Sequence, residues 1–240
     1  MAAQPSIIRT LISRLFLIIL TIVSAPILLI ILILPARIRR TSRIVYCLVN
    51  WFYRASLACT LIPIRFKGKE NIPNKQVIFV ANHQSSLDIP TVGSLANGKP
   101  HLWLARSELL DTFFLRIVLT RFAEVIDVNN PRNAMRGLLR TINTIKTEGQ
   151  DLMIFPEGGR YTDDRVHEFF GGFVILAKKT GLPVVPVRIF GANKVYPPNS
   201  FWLYYHPVSV VIGKPFHYDD AENDDIFRQQ VYHWFLQQEE

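Results

Sequence analysis

His83 and Asp88 stand five residues apart in the run Asn82-His83-Gln84-Ser85-Ser86-Leu87-Asp88, directly after an apolar segment. An imidazole backed by a carboxylate makes a general base. The carboxylate fixes the ring tautomer and steadies the cation that forms when the ring takes a proton. A hydroxyl is a poor nucleophile at neutral pH, so such a pair suits attack by an alcohol or by water. The intervening Ser-Ser turn lets the chain fold back so that the two side chains meet. A second group, Pro156-Glu157-Gly158-Gly159-Arg160, follows the apolar run 151–155. Its two glycines permit a tight turn whose N–H groups face an anion, and Arg160 has the planar fork that grips phosphate. Pro186 lies within a third apolar run, 184–189, where it marks an edge strand, a bulge or a shaped site wall.

These groups need a scaffold, and the pattern supplies one. Short β-rich runs fall at 76–81, 101–105, 124–128, 151–155, 184–189 and 208–212. Helical patterns fall at 87–95, 111–120, 131–147, 172–179 and 224–238, with Pro131 at a first-turn position. Strands alternating with helices predict an α/β fold: a mixed, largely parallel sheet flanked by helices. In such sheets ligands gather at the carboxyl ends of strands, which is where both groups fall. The longest loop is expected at 193–201.

The N-terminal part reads differently. Residues 15–34 carry no charge, and twenty residues at ~1.5 Å each reach ~30 Å, the thickness of a hydrocarbon core. The run is too long for a signal-peptide core, and no A-x-A-like site follows it. Pro26 near its middle invites a kink. Residues 44–64 are apolar and aromatic but hold Arg54 centrally, which suits an interfacial helix better than a spanning one. The expected division is therefore a membrane anchor at 1–65, with an apolar helix 15–34 and an interfacial helix 44–64, and an α/β domain at 66–240. A single span with a surface helix and a kinked re-entrant pair both satisfy the pattern.

Charge agrees with this division. The chain of 240 residues has a net charge of +8, yet ten Lys or Arg and no acidic residue precede Glu70, so the remainder carries −2. Basic residues bracketing an apolar run point to anionic lipid headgroups, at about 1 kcal/mol each. Nucleic acid is not an expected partner, because a binder needs a basic stripe on its folded domain. Arg37, Arg39, Arg40 and Arg43 outnumber Arg9 and Arg14 across the run, which puts the C-terminal side, and the site, on the cytoplasmic face. Cys47 and Cys59 both lie in an apolar stretch, so neither a disulfide framework nor a metal site is expected. A hydrophobic share of 49% excludes intrinsic disorder.

From about Phe66 to Phe216 the chain resembles the glycerolipid acyltransferases, specifically the 1-acylglycerol-3-phosphate type. Asn82, His83 and Asp88 match the family's N-H-x4-D motif. Phe155, Pro156, Glu157, Gly158 and Arg160 match F-P-E-G-x-R. Val185, Pro186 and Val187 match the V-P-V core, and the order of the three is kept. The resemblance implies that His83 deprotonates an acceptor hydroxyl, that Asp88 orients it, and that Glu157, Gly158 and Arg160 bind a phosphate-bearing acceptor. It also implies a role for Arg106, in A-R-S-E-L, at the thioester carbonyl. The second family motif is matched by Phe122, Ile126 and Asp127, but Val128 stands where Arg is usual, and Arg132 is placed to supply the charge. Gly159 replaces a common Thr, and Phe170 stands near a position often held by Lys.

The implied donor is acyl-CoA or acyl carrier protein, with membrane phospholipids as partners and no cofactor. The absence of a G-x-S-x-G elbow points to direct transfer rather than a covalent acyl-enzyme. Acylation of glycerol-3-phosphate, of another lysophospholipid or of an aminolipid, lipid hydrolysis at a membrane, and a catalytically silent scaffold are the competing readings.

Overall fold

The computed structural model describes residues 5–127 and 129–239. Seven strands make one sheet: β1 (Ile64–Lys67), β2 (Ile78–Ala81), β3 (His101–Arg106), β4 (Ala123–Ile126), β5 (Asp151–Ile154), β6 (Val184–Phe190) and β7 (Val208–Ile212). Their order is β1-β7-β6-β2-β5-β3-β4. The five strands from β6 to β4 are mutually parallel, β7 is antiparallel to β6, and β1 runs parallel to β7. The sheet is thus mixed and largely parallel, as expected. Strand β1, however, was hidden within the alternation Ile64-Arg65-Phe66-Lys67.

Strand β2 is central and buried on both faces, which is why it is a continuous apolar run. Ile78 and Val80 join a core with Leu152, Ile154 and Val184 on one face. Phe79 and Ala81 join Met153, Val185 and Val187 on the other. The first face is covered by α6 (Pro131–Glu148), α7 (Gly172–Thr180) and α9 (Asp224–Leu236), which contribute Leu138, Phe173 and Phe227. The second is covered by α4 (Asp88–Gly93) and α8 (Ala192–Val195) through Val92 and Val195, with α3 (Arg43–Cys59) packed outside α4. Helix α5 (Phe113–Phe122) packs against β4. The ends of α6 follow from sequence: the Asn130 side chain caps the N–H groups of Arg132 and Asn133, Pro131 opens the first turn, and Gly149 closes the helix at φ 69°.

The N-terminal helical segment differs from expectation in its limits. Helix α1 runs from Ile7 to Ile33, through Pro26, and α2 (Ala36–Thr41) intervenes before α3. After α3 the chain turns at Leu61, where φ is 57°, and Ile62 already belongs to the sheet's core. The boundary near 65 therefore falls inside β1. Helix α1 is long and apolar enough to cross a membrane, with a mean hydropathy of 3.1 over an 18-residue stretch. Its packing is inverted relative to a soluble helix. The buried stripe is Thr10, Ser13, Leu20, Ser24 and Ile31, while Ile8, Leu15, Ile22 and Ile33 are exposed. Both ends touch the same domain: Leu203 N–H donates to Thr10 Oγ1 at 3.1 Å, Arg14 donates to the Phe201 carbonyl, and Arg121 of α5 donates to the Leu32 carbonyl.

Pro186 does not lie on an edge strand, because β6 has a neighbour on each side. It lies at a bulge. Between the bridge Val184–Phe216 and the pair Val187–Ile212, β6 has two residues, Val185 and Pro186, opposite Gly213, Lys214 and Pro215. The regular ladder ends at this residue: proline accepts one bond from the end of β7 and has no N–H with which to return it, and the extra residue falls just beyond, opposite Val185. Gly213 N–H donates to the Pro186 carbonyl at 3.0 Å.

Candidate active site

The carboxyl end of β2 is organised by Asn82, the residue after the strand. Its buried side chain donates to the Ile189 carbonyl at 2.9 Å and accepts from Ile189 N–H at 2.7 Å. A side chain thus continues the β2–β6 ladder and frees the backbone to turn at His83. Three contacts then hold His83. Its N–H donates to Glu157 Oε1 at 2.9 Å, its carbonyl accepts from Tyr161 N–H at 3.0 Å, and its ring stacks on Phe155 with centroids 4.0 Å apart.

Asp88, the first residue of α4, is fully buried. Its Oδ2 accepts from His83 Nδ1 at 2.8 Å, Gln84 N–H at 2.5 Å and Ser85 N–H at 2.7 Å. The turn folds back as the spacing predicts. On the far side of the ring, Arg160 Nε donates to His83 Nε2 at 3.1 Å. A guanidinium only donates, so Nε2 carries the lone pair and Nδ1 carries the proton given to Asp88. This is the tautomer a base needs. The lone pair faces the exposed Arg160 rather than the interior.

Glu157 does not face an acceptor. It is 2% exposed, and its two oxygens take the N–H groups of His83 and His167, both at 2.9 Å. It clamps the catalytic turn to the loop that follows β5. Both oxygens are engaged within the turn, an arrangement that suits positioning His83 and does not favour the acceptor-binding role the resemblance implies. Burial raises its carboxyl above the ordinary glutamate value, and the two N–H donors and Arg188 pull it back. Arg188, buried within β6, was not singled out from the sequence; its only mark was a lone charge in the apolar run Val-Val-Pro-Val-Arg-Ile-Phe.

Gly158 sits at φ 67°, with Phe170 directly above the position a Cβ would take, so glycine alone suits this turn. Arg106, at the end of β3, donates to the Gly158 carbonyl at 2.6 Å and is held by Glu108. From there a line of contacts leads away: Asn129 donates to Glu108, and Asp127 accepts from Asn129 N–H and the Asn133 amide. Asp127 and Arg106 are thus linked to the motif turn through the ends of β3 and β4. Arg132 is exposed on the first turn of α6, and no hydrogen bond among the described residues joins it to His83. Val128 lies outside the described residues. Pro186 pairs in register with Val80, two residues before Asn82, and shapes β6 beneath the site without touching its polar groups.

The central strand of the α/β sheet thus ends in a carboxylate-backed imidazole beside a glycine turn and an exposed arginine, an arrangement suited to drawing a proton from a hydroxyl or from water. The family model described as Acyltransferase matches residues 63–190. The chain belongs to that family. It is 32% identical over 163 residues to 1-acyl-sn-glycerol-3-phosphate acyltransferase LPAT1, chloroplastic, of Arabidopsis thaliana, covering 66% of this chain and 45% of that one. It is 30% identical over 199 residues to the 1-acyl-sn-glycerol-3-phosphate acyltransferase of Borreliella burgdorferi, covering 79% and 78%. The chain spans about half the length of the chloroplast relatives it matches. The crystal structure of the acyltransferase PlsC of Thermotoga maritima shares its fold, with a TM-score of 0.76 and 23% identity over 95% of this chain and 92% of that one.

Proposed function

We propose that this protein transfers a fatty acyl group from a thioester, acyl-CoA or acyl carrier protein, to the free hydroxyl of 1-acylglycerol-3-phosphate, giving phosphatidate. The observation that carries this reading is the His83 Nε2 lone pair, backed by Asp88 at 2.8 Å and opening beside Arg160. His83 takes the proton of the acceptor hydroxyl as its oxygen attacks the thioester carbonyl. Asp88 stabilises the imidazolium, which returns the proton to the departing thiolate as the tetrahedral intermediate collapses. The bond made is the ester and the bond broken is the thioester, so no cofactor enters the balance. Arg106 uses three of its five N–H groups on Glu108 and Gly158, which leaves two for the developing oxyanion.

Arg160 has two successive partners in this scheme. Before the acceptor arrives it caps Nε2; a phosphate, with more charge than an imidazole, draws it away and uncovers the base. Membrane attachment through α1 brings the site to a lipid substrate, with the site on the cytoplasmic face. The test is acyl transfer by the purified full chain with lysophosphatidate and each donor. His83→Ala should lose about 10²–10⁴-fold in kcat. Asp88→Asn should lose a comparable factor, because the amide can present its NH2 to Nδ1 and so reverse the tautomer. Equal activity of wild type and His83→Ala would end the proposal.

A further inference from the structure

A cleft of about 480 Å³ lies between the end of α3, β1 and the segments that lead into β2 and β3. Residues 72–74 and 94–99, which lead into β2 and β3, form one side, and the end of α3 with β1 forms the other. Three cations line it, Arg54, Lys69 and Lys99, and no carboxylate is among its described lining residues. Its floor is apolar, with Leu57, Ile62 and Phe66. Lys69 Nζ lies 4.1 Å from the Phe66 ring centre, and Lys99 donates only a 3.4 Å contact to the Pro73 carbonyl.

The cleft is continuous with a surface that water does not favour. Ile44, Cys47, Trp51, Arg54 and Ala58 recur at helical spacing on the outer face of α3, and all are exposed. Leu61, just beyond, is 42% exposed. An apolar stripe with an aromatic residue, ending in a cationic cleft with an apolar floor, matches an amphiphile with a negative head.

We infer that this cleft holds the headgroup phosphate of one anionic phospholipid, whose chains lie along the outer face of α3. The inference rests on the membrane attachment proposed above, but not on acyl transfer. Arg54, Lys69 and Lys99 converge on the phosphate, and the cleft, whose lining includes none of His83, Asp88, Arg106 or Arg160, fixes the angle at which the domain meets the bilayer. Charge complementarity selects the occupant: a zwitterionic lipid brings its own cation, which the three positive side chains repel.

Native mass spectrometry of the full chain in detergent, with phosphatidylglycerol or phosphatidylcholine added, tests the assignment, and His83→Ala serves as the background so that turnover is absent. Retention of one phosphatidylglycerol at least tenfold above phosphatidylcholine is expected, with the preference lost in Arg54→Gln/Lys69→Gln/Lys99→Gln. Arg54→Gln alone, an exposed change that leaves the fold intact, should weaken retention several-fold. Equal retention of the two lipids, or undiminished retention of phosphatidylglycerol in the triple variant, overturns the inference. Displacement of the lipid by inorganic phosphate or by coenzyme A at matching concentration also overturns it, by assigning the cleft to a soluble phosphate. None of these outcomes depends on acyl transfer.

Discussion

At the scale of single residues, the hydrogen bond from Arg160 to His83 Nε2 makes the most distinctive demand on experiment. If the guanidinium caps the base until an acceptor phosphate removes it, Arg160→Ala should raise the acceptor KM at least tenfold. It should also raise the release of free thiol from the donor when no acceptor is present, because water then reaches an uncovered base. A plain phosphate ligand would give only the first effect, since uniform binding leaves the resting base untouched. Thiol release and phosphatidate formation, followed in parallel, separate the two. The pair His83 and Asp88 was legible because its chemistry is local, five residues within one turn. The inward turn of Glu157 was not: it depends on two N–H groups, those of His83 and His167, brought together from distant segments. Asp151, at the start of β5, makes a second residue-scale prediction. Burial lifts its carboxyl to about 6, although Val77 N–H donates to it at 3.0 Å. The folded value exceeds the ordinary 3.8, so this group's contribution is complete below pH 4 and is lost as pH rises through 6. Asp151→Asn keeps an acceptor for Val77 and should gain about 1–3 kcal/mol at pH 7 but little at pH 4. Melting curves at the two pH values check it.

At the scale of elements, alternation and turn chemistry identified six of the strands in place, and burial explains why. Runs such as those of β2 and β5 are apolar throughout because both faces are covered. Strand β1 was missed because its edge position leaves Arg65 and Lys67 exposed, so that Ile64 read as the end of the preceding helix and the other three residues carried no apolar run. The short helix α8 was read as loop because the Pro-Pro pair just beyond it dominates the pattern. The bulge at Pro186 was one of three readings, and only the pairing of β6 with β7 could choose it. That bulge makes its own demand. A Cβ at Gly213 would lie 2.6 Å from the Trp234 ring and 2.7 Å from Pro186 Cγ, with no room between them. Gly213→Ala should therefore cost about 1–3 kcal/mol, a fall of several degrees in melting temperature. Gly149→Ala meets nothing within 4 Å and loses only what a left-handed φ of 69° imposes, so the pair separates crowding from backbone strain.

At the scale of the whole molecule, the decisive fact is which way α1 faces. Its polar residues Thr10, Ser13 and Ser24 point into the protein with Leu20 and Ile31, and most of its other Ile, Leu and Val residues point out. In water that arrangement would be reversed, because each exposed Leu or Ile forfeits about 1.5–3 kcal/mol of burial. Contacts from Leu203 at one end of the helix and Arg121 at the other tie it along the domain, so the membrane attachment proposed above would bring its outer face broadside to the acyl chains. The sequence disclosed that α1 is apolar but not that its polar stripe turns inward, since only the docked partner defines a face. Ile18 and Ile22 are 57% and 66% exposed, one turn apart on that outer side. Both side chains are more than half exposed within the fold, so in Ile18→Lys/Ile22→Lys the melting temperature should hold within a few degrees. Partition into phosphatidylcholine vesicles should fall more than tenfold, because two buried isoleucines are lost and two charges must be kept out of hydrocarbon. Acylation of lysophosphatidate dispersed in detergent should survive, while acylation of the same lipid embedded in vesicles should fall with the partition. Unchanged partition would mean that α1 does not face lipid, and the inverted helix would then need a protein partner to cover it.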